Sequence, residues 1–182
     1  MQYVLMILFA LGIVAVDQLS KAWVVNNIAP PVGADIDALA NAFGVTNKDL
    51  SALPDTVDAV PGVFHLSHVH NKGAAWSSFE GMTWLFALIF VVFTVAIIWE
   101  FSKKRWGFTA FERWLIVAVY GGGLGNMIDR VRMGYVVDMV HLDFMNFPVF
   151  NVADCFITCG CILLIAHLIF FNKQFWKDEK KK

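Results

Sequence analysis

The sequence predicts an all-α membrane protein with four transmembrane helices and a small β element in its first loop. Of its 182 residues, 58% are hydrophobic and only 16% are charged, and the mean hydropathy is +0.62. A soluble domain carries about 25% charged residues, so this composition excludes an ordinary soluble enzyme. Aromatic residues make up 15% of the chain, which is typical of a protein with side chains at the membrane interfaces.

Four apolar segments account for the predicted helices, at about residues 3–25, 82–101, 111–128 and 152–171. A spanning helix needs about 20 residues, and each segment has or nearly has that length. We interpret the first as a retained helix and not a signal peptide, because Asp17 and Lys21 stand where a cleavage site would lie. The helices are expected to form one integral membrane domain over residues 1–182, with a loop at 26–81 and a tail at 172–182.

The placement of Lys and Arg predicts how the helices cross the membrane. Basic residues cluster in the short loop after the second segment and in the tail, whereas the 26–81 loop is mainly acidic. Because basic loops are retained in the cytoplasm, both termini are expected to be cytoplasmic and the 26–81 loop external. Within that loop, residues 30–62 predict a polar elaboration with some short helix, and residues 63–79 give a strand-and-turn pattern.

Two aspartates near the end of the chain are the candidate catalytic residues. Asp138 ends the stretch GYVVD in an external loop, and Asp154 ends the stretch FNVAD at the external start of the fourth helix. A carboxylate in the bilayer costs roughly 2.5–3.5 kcal/mol, so two on one membrane face indicate a function. Neighbouring carboxylates share a proton, and one then acts as base towards a water and the other as acid. The alternative is that Asp154 caps a helix and Asp138 is a solvated loop residue.

Polar residues of the third segment are candidates for supporting roles. Asn126, Asp129 and Arg130 follow a glycine run whose spacing fits neither a P-loop nor a dinucleotide fingerprint. Within that run, Gly121 and Gly125 form a small-xxx-small pair that is expected to allow close helix packing. Asp129 and Arg130 are expected to end their helix at the outer interface and to tie down the loop through an ion pair.

Asp17 and Lys21 lie four residues apart in the first segment and therefore share one helix face. We interpret them as an ion pair with a structural or substrate-positioning role, in which Lys21 reaches the interface. The loop histidines His65, His68 and His70 suggest a metal site, but the chain has no HExxH motif. We expect interfacial loop histidines, no metal and no cofactor.

Two other classes of function stay open on these residues alone. A proton-coupled transporter would use Asp17, Asp138 and Asp154 as a relay. Four helices without an inverted repeat make a poor transport pathway, however. A non-enzymatic assembly factor would use the same polar residues only to hold its helices together.

Taken together, the motifs resemble those of the bacterial lipoprotein signal peptidases, also called signal peptidase II. Five matching stretches occur in the family's order: Val16–Lys21 (VDQLSK), Val69–Trp76 (VHNKGAAW), Gly121–Arg130 (GGGLGNMIDR), Gly134–Asp138 (GYVVD) and Phe147–Asp154 (FPVFNVAD). The resemblance implies a four-helix bundle in the bacterial inner membrane, with a small extracytoplasmic β-cradle. It also implies an intramembrane aspartyl endopeptidase that cuts a prolipoprotein just before its diacylglyceryl-modified cysteine.

The resemblance also assigns roles to individual residues. The catalytic pair falls on Asp138 and Asp154, at the extracytoplasmic face. The residues that would bind substrate or brace the site are Asp17, Lys21, Asn71, Gly73, Asn126, Asp129, Arg130 and Asn151. The expected partners are the lipidated precursor and membrane lipid, without nucleic acid, and the protein is expected to be a monomer. The chain departs from the family at His65 and Trp76, where Asn and Phe are usual, and in a longer stretch at 33–60.

Overall fold

The structure is a computed structural model that describes residues 1–44, 52–73, 81–103 and 106–172. These residues form five α-helices and one three-stranded antiparallel sheet. In chain order the elements are α1 (Gln2–Asn27), α2 (Ile36–Phe43), β1 (Thr56–Val60), β2 (Phe64–Asn71), α3 (Thr83–Lys103), α4 (Ala110–Met133), β3 (Val136–Leu142) and α5 (Val152–Phe170).

The four long helices coincide with the four predicted apolar segments. Among the described residues, α1, α3 and α5 are long and apolar enough to cross a membrane. The remaining long helix, α4, is less apolar because charged and amide side chains lie near both of its ends. It also runs to Met133, beyond the predicted end at Ile128. The expectation that Asp129 and Arg130 end this helix is therefore wrong, because polar residues continue a helix that apolarity alone does not detect.

Helix α4 is the centre of the bundle, since it packs against α1, α3 and α5. It begins with a capping box: the Thr109 hydroxyl accepts a hydrogen bond from the Glu112 N–H, and the Glu112 carboxylate accepts one from the Thr109 N–H. Gly134, with φ of 80°, ends the helix. A side chain would strain this left-handed conformation, and glycine lets the chain turn at once into β3.

Glycines bring α4 close to its neighbours, as their spacing predicts. A Cβ at Gly121 would lie 3.2 Å from the Ile13 Cβ of α1, and a Cβ at Gly125 would lie 2.5 Å from Asp17 Oδ2. On another face of α4, a Cβ at Gly122 would lie only 2.5 Å from the carbonyl oxygen of Ala153. The first turn of α5 therefore rests directly on the backbone of α4.

Gly122→Ala is expected to lower the free energy of unfolding by roughly 1–3 kcal/mol, because the new methyl group overlaps the backbone of α5. Gly123→Ala is the matched control, since its Cβ would meet the Phe90 ring at 3.4 Å, an ordinary contact. Thermal unfolding of both purified variants checks this difference. Equal stability of the two variants would contradict the close approach of α4 and α5.

The sheet has the order β1-β2-β3 and lies at one end of the bundle, which we call the sheet end. One face of the sheet packs on α2 and on the end of α1. The buried residues of this apolar cluster are Val24, Val25, Ile28, Leu39, Tyr135, Val137 and Met139. Strand β2 and helix α2 agree with the strand and short helix predicted in the first loop. Residues 74–79 of the predicted strand-and-turn stretch lie outside the described residues.

At the opposite end of the bundle, a buried polar cluster around Glu112 joins α4 to α5. Glu112 is 0% exposed. Its carboxylate accepts hydrogen bonds from Asn172 Nδ2 at 2.7 Å and from His167 Nδ1 at 2.8 Å, in addition to the capping contact with Thr109. This cluster lies well away from the sheet end, because Glu112 and Asn126 are separated by about 21 Å of helix at 1.5 Å per residue.

Candidate active site

Asp138 lies in β3, so the expectation that it belongs to a loop is wrong. Alternation along the strand sends Val137 and Met139 into the apolar cluster and Asp138 to the other face. Antiparallel pairing sets Asn71 of β2 opposite Val136, which makes Asn71 and Asp138 diagonal neighbours. Asn71 Nδ2 accordingly donates a hydrogen bond to Asp138 Oδ2 at 2.8 Å.

Asp154 is held by the N-terminus of α5. Asn151 is the N-cap: its side-chain oxygen accepts from the Asp154 N–H at 3.0 Å, and Asp154 Oδ2 accepts from the Asn151 N–H at 3.1 Å. This capping box satisfies two backbone donors and puts the carboxylate near the positive end of the helix dipole. Asp154 therefore caps its helix, as the alternative interpretation predicted, and its second oxygen is left for the site.

Two asparagine side chains connect the carboxylates. Asn151 Nδ2 donates to Asp138 Oδ1 at 2.6 Å and to Asn126 Oδ1 at 3.0 Å. Asn126 Nδ2 donates in turn to Asp154 Oδ1 at 2.8 Å. The two aspartates, contributed by β3 and α5, are thus bridged by a pair of oriented amides.

The two carboxyl groups differ in their surroundings. Asp138 is 2% exposed, and this burial, together with the charge of Asp154, raises the pKa of the Asp138 carboxyl to about 7. The hydrogen bonds from Asn71 and Asn151 act in the opposite direction because they favour the ionised form. Near neutral pH, Asp138 therefore holds a proton for much of the time beside a second carboxylate, an arrangement suited to acid–base chemistry.

The predicted ion pair of Asp17 and Lys21 is present, at 2.8 Å. The expectation that Lys21 reaches the interface is wrong, because its side chain is 0% exposed. A lysine extends towards water when it lacks buried partners, and this one has three acceptors. They are Asp17 Oδ2 and Asp129 Oδ2, each at 2.8 Å, and Asn126 Oδ1 at 3.0 Å. Since an ammonium only donates, it requires the Asn126 oxygen to face it and leaves the NH₂ group for Asp154.

Arg130 ties α4 to the first loop, but not through the ion pair with Asp129 that the sequence suggested. Its Nη2 donates to the Gly73 carbonyl oxygen at 2.8 Å, and its guanidinium lies 4.3 Å from the centre of the Phe86 ring. Asp129 pairs with Lys21 instead. Arg130 therefore connects α4 both to the segment after β2 and to α3.

Sequence reasoning missed two residues near the site. Gln18 Nε2 donates to Asp129 Oδ1 at 2.8 Å and to Asp17 Oδ2 at 3.3 Å. Its position inside the stretch VDQLSK could have identified it. Nothing in the sequence distinguishes Phe86, because it is one of 17 phenylalanines and its contact with Arg130 depends on how α3 packs.

A cavity of about 540 Å³ opens beside the aspartates. Its polar lining is concentrated at Asn71, Asn126, Arg130, Asp138 and Asp154. The remaining walls are mainly apolar and include Phe86, Ile89, Phe90, Phe93, Val119, Met127, Phe147, Val149, Phe150 and Ile157. The carboxylates therefore lie at the polar end of an apolar cavity between α3, α4 and α5.

The loop histidines form two separate pairs. His65 contacts Asp143 and stacks on His141, whereas the Nε2 atoms of His68 and His70 lie 3.2 Å apart. Burial lowers the pKa of both His68 and His70 to about 4, so this pair is neutral at physiological pH. Within the described ranges, the His, Cys, Asp and Glu side chains form no group of three that would hold a metal ion.

Residues 9–170 match the sequence profile of the family described as Signal peptidase (SPase) II. The chain belongs to this family. A lipoprotein signal peptidase of Streptococcus agalactiae serotype Ia is 36% identical over 183 residues, which cover 98% of this chain and 96% of the relative. The lipoprotein signal peptidase of Lactococcus lactis subsp. lactis is 36% identical over 167 residues, which cover 90% and 92%.

Two solved structures, both described as bacterial membrane enzymes, have similar folds. One has a TM-score of 0.71 and 27% identity, with 93% of this chain and 90% of that chain covered. The other has a TM-score of 0.66 and 28% identity, with coverage of 92% and 94%. The signal peptidase II family indicated by the motifs is thus confirmed. Its members are peptidases, and the three apolar helices make this one a membrane protein.

Proposed function

We propose that the protein is an intramembrane aspartyl endopeptidase that removes the signal peptide from diacylglyceryl-modified prolipoproteins by cleaving just before the lipidated cysteine. One observation carries the proposal: Asp138 and Asp154 are bridged by two amides on the wall of an apolar cavity. The name that the relatives share supports a lipoprotein precursor as substrate. The apolar lining suits a peptide that arrives with acyl chains.

The surroundings of the two carboxyl groups assign their roles. Asp154 accepts hydrogen bonds from Asn126 Nδ2 and from the Asn151 N–H, and it lies at a helix N-terminus. These contacts orient the Asp154 carboxylate as a hydrogen-bond acceptor, and we assign it as the base. Asp138 has the raised pKa and is therefore the acid.

Hydrolysis then proceeds in two steps. In the first, Asp154 takes a proton from a water whose oxygen attacks the scissile carbonyl carbon, and Asp138 gives its proton to the carbonyl oxygen. In the second, Asp154 delivers its proton to the leaving amine while Asp138 recovers a proton from the diol. The amide bond breaks, and both carboxyl groups return to their starting states. Anchoring of the substrate in the bilayer supports this reaction by holding the scissile bond near the pair.

Helix α4 is proposed as the fourth transmembrane helix. Its 24 residues reach about 36 Å at 1.5 Å per residue, longer than the hydrocarbon core of about 30 Å. Its polar side chains have partners inside the bundle: Asn126 and Asp129 contact Lys21, and Glu112 contacts His167. Pairing of this kind permits polar residues within a membrane.

The same proposal covers location and partners. Residues 1–182 form one integral membrane domain in the bacterial inner membrane, with both termini cytoplasmic and the sheet end outside. The active site lies at that extracytoplasmic face, where Asn71 and Gly73 border the pair and contact substrate. The protein works as a monomer on lipidated precursor and membrane lipid, without cofactor or nucleic acid.

The proposed function predicts that cleavage depends on the lipid. The purified protein in lipid vesicles should cut a diacylglyceryl-modified precursor at least about 100-fold faster than the same precursor with an unmodified cysteine, because only the former is held at the depth of the pair. EDTA should leave the rate unchanged. Equal rates on both precursors would contradict the lipid requirement, and strong inhibition by EDTA would contradict a metal-independent pair.

The pKa of Asp138 predicts the pH dependence of the reaction. Because the acid must be protonated, kcat should fall as pH rises through about 7. Asn71→Ala removes a hydrogen bond that favours the ionised form of Asp138. The alkaline limb of the profile of kcat against pH should therefore move to higher pH. Asp143→Asn, at an exposed residue, is the control and should leave the limb in place. A limb that moves to lower pH in Asn71→Ala would contradict the assignment of Asp138 as acid.

A further inference from the structure

The ion cluster around Lys21 reaches the backbone immediately before each aspartate. Asp129 Oδ2 accepts a hydrogen bond from the N–H of Val137 at 3.3 Å, and Val137 precedes Asp138. Asp17 Oδ1 accepts one from the N–H of Ala153 at 3.0 Å, and Ala153 precedes Asp154. Each carboxylate of the cluster thus holds the backbone N–H of the residue that precedes one member of the pair.

Lys21 joins the two carboxylates, Asp17 and Asp129, that accept these backbone hydrogen bonds. Its ammonium lies 2.8 Å from Asp17 Oδ2 and 2.8 Å from Asp129 Oδ2. All three side chains are 0% exposed, so water does not compete for these contacts. The path from Ala153 through Asp17, Lys21 and Asp129 to Val137 is therefore continuous and buried.

The third hydrogen of the Lys21 ammonium contacts the amide bridge between Asp138 and Asp154. It goes to Asn126 Oδ1, and the NH₂ group of Asn126 then faces Asp154. The same Asn126 oxygen accepts from Asn151, which also donates to Asp138. Lys21 thereby contacts both the backbone supports and the amide bridge.

We infer that Lys21 is a positioning residue that sets the separation and orientation of the two aspartates by joining the supports of Asp138 and Asp154. The inference rests on the proposed function, because it assigns Lys21 a task in that reaction. It goes beyond an ion pair that stabilises the bundle. The Asp17–Lys21 pair lies within α1, and Asp17 by itself would hold α5 through Ala153 without fixing either the strand that carries Asp138 or the Asn126 amide.

The main test is the double variant Lys21→Met/Asp129→Asn. It removes one positive and one negative charge, so the net charge of the cluster is unchanged even though Asp17 loses its ammonium partner. The link between the two supports is nevertheless cut. We expect kcat to fall about 100-fold with KM within about threefold, because a displacement of about 1 Å at reacting groups costs that much.

A second variant, Asp17→Asn, decides the question if the double variant does not fold. The substitution retains the shape of the side chain and leaves Lys21 paired one-to-one with Asp129. In asparagine one of the two oxygen positions becomes an NH₂ group, which cannot accept a hydrogen bond, so either the contact with the Ala153 N–H or the contact with Lys21 is lost in the present orientation. We expect a fall in kcat of about tenfold.

Glu112→Gln is the matched control for loss of a buried charge. Glu112 is as buried as Lys21 but lies at the opposite end of α4, so this variant should lose stability and keep kcat per folded molecule. A folded cluster variant that is destabilised like Glu112→Gln, yet keeps kcat within threefold of the parent, would show that Lys21 only stabilises the bundle and would overturn the inference.

A measurement without substrate separates this inference from the proposed function. The infrared carbonyl band of protonated Asp138, assigned with Asp138→Asn, can be titrated in the purified protein. The charged groups that act on Asp138 are Asp154, Lys21 and Arg130. We expect the midpoint to move upward in the double variant and to stay in place in Glu112→Gln, even if the parent cleaves no lipidated precursor. An unmoved midpoint in the folded double variant would overturn the inference and leave the peptidase proposal intact.

Discussion

Asp138→Asn and Asp154→Asn should each lower kcat for cleavage of lipidated precursor by about 1,000-fold, within the range expected for loss of an acid or base. In Asp154→Asn no carboxylate is left to take the proton from water. In Asp138→Asn the carbonyl oxygen loses its proton donor. Both substitutions preserve the shape of the side chain, so binding of the precursor should change little. A cleavage assay with the purified variants in lipid vesicles measures the effect.

The matched control is Asp143→Asn, since Asp143 is an exposed carboxylate in the same part of the chain as Asp138. It should retain the parent's kcat. If either Asp138→Asn or Asp154→Asn cleaves at a rate close to that of Asp143→Asn, the pair is not the catalytic group. An assembly factor, the rival in which polar residues only hold helices together, predicts that result.

The second large effect is expected at Asn151, where capping and chemistry can be separated. Asn151→Asp retains an N-cap side chain of equal quality, so the capping contact with the Asp154 N–H should be kept. The new carboxylate replaces the amide that donates to Asp138 at 2.6 Å, and it adds a like charge beside the pair. We expect kcat per folded molecule to fall about 100-fold, and the thermal midpoint to fall as well because the new charge is buried.

Asn151→Ala provides the comparison. It removes both the cap and the bridge, so it should lose about 1 kcal/mol of stability as well as activity. Cleavage and thermal unfolding of the two variants are measured side by side. An active Asn151→Asp protein would mean that Asn151 only caps α5 and that the amide bridge is dispensable.

Much of the site could be predicted because its residues occur in short contiguous stretches. The stretch GYVVD contains both the glycine that ends α4 and Asp138, so one short motif was enough to identify this aspartate as a candidate. The stretch FNVAD likewise contains both members of a capping box, Asn151 and Asp154. Hydropathy located the four long helices because their apolar segments differ in composition from the residues that flank them.

Other features depend on contacts between distant segments and have no local signal. The burial of Lys21 requires Asp129 and Asn126 from a helix more than 100 residues later in the chain. The sequence offered a nearer partner for Asp129 in Arg130, and that expectation is wrong. Asp138 lies in a strand because its segment pairs with β2. The short sequence that follows the end of α4 does not by itself predict this pairing.

The Arg130 side chain contacts two separate segments of the protein. The Arg130 guanidinium holds the Gly73 carbonyl and lies over the Phe86 ring, and Asn71, two residues before Gly73, binds Asp138. A substrate that displaced α3 would therefore also act on the segment that holds Asn71 against Asp138. Access to the cavity past α3 and the hydrogen bond that Asn71 donates to Asp138 therefore depend on the same guanidinium.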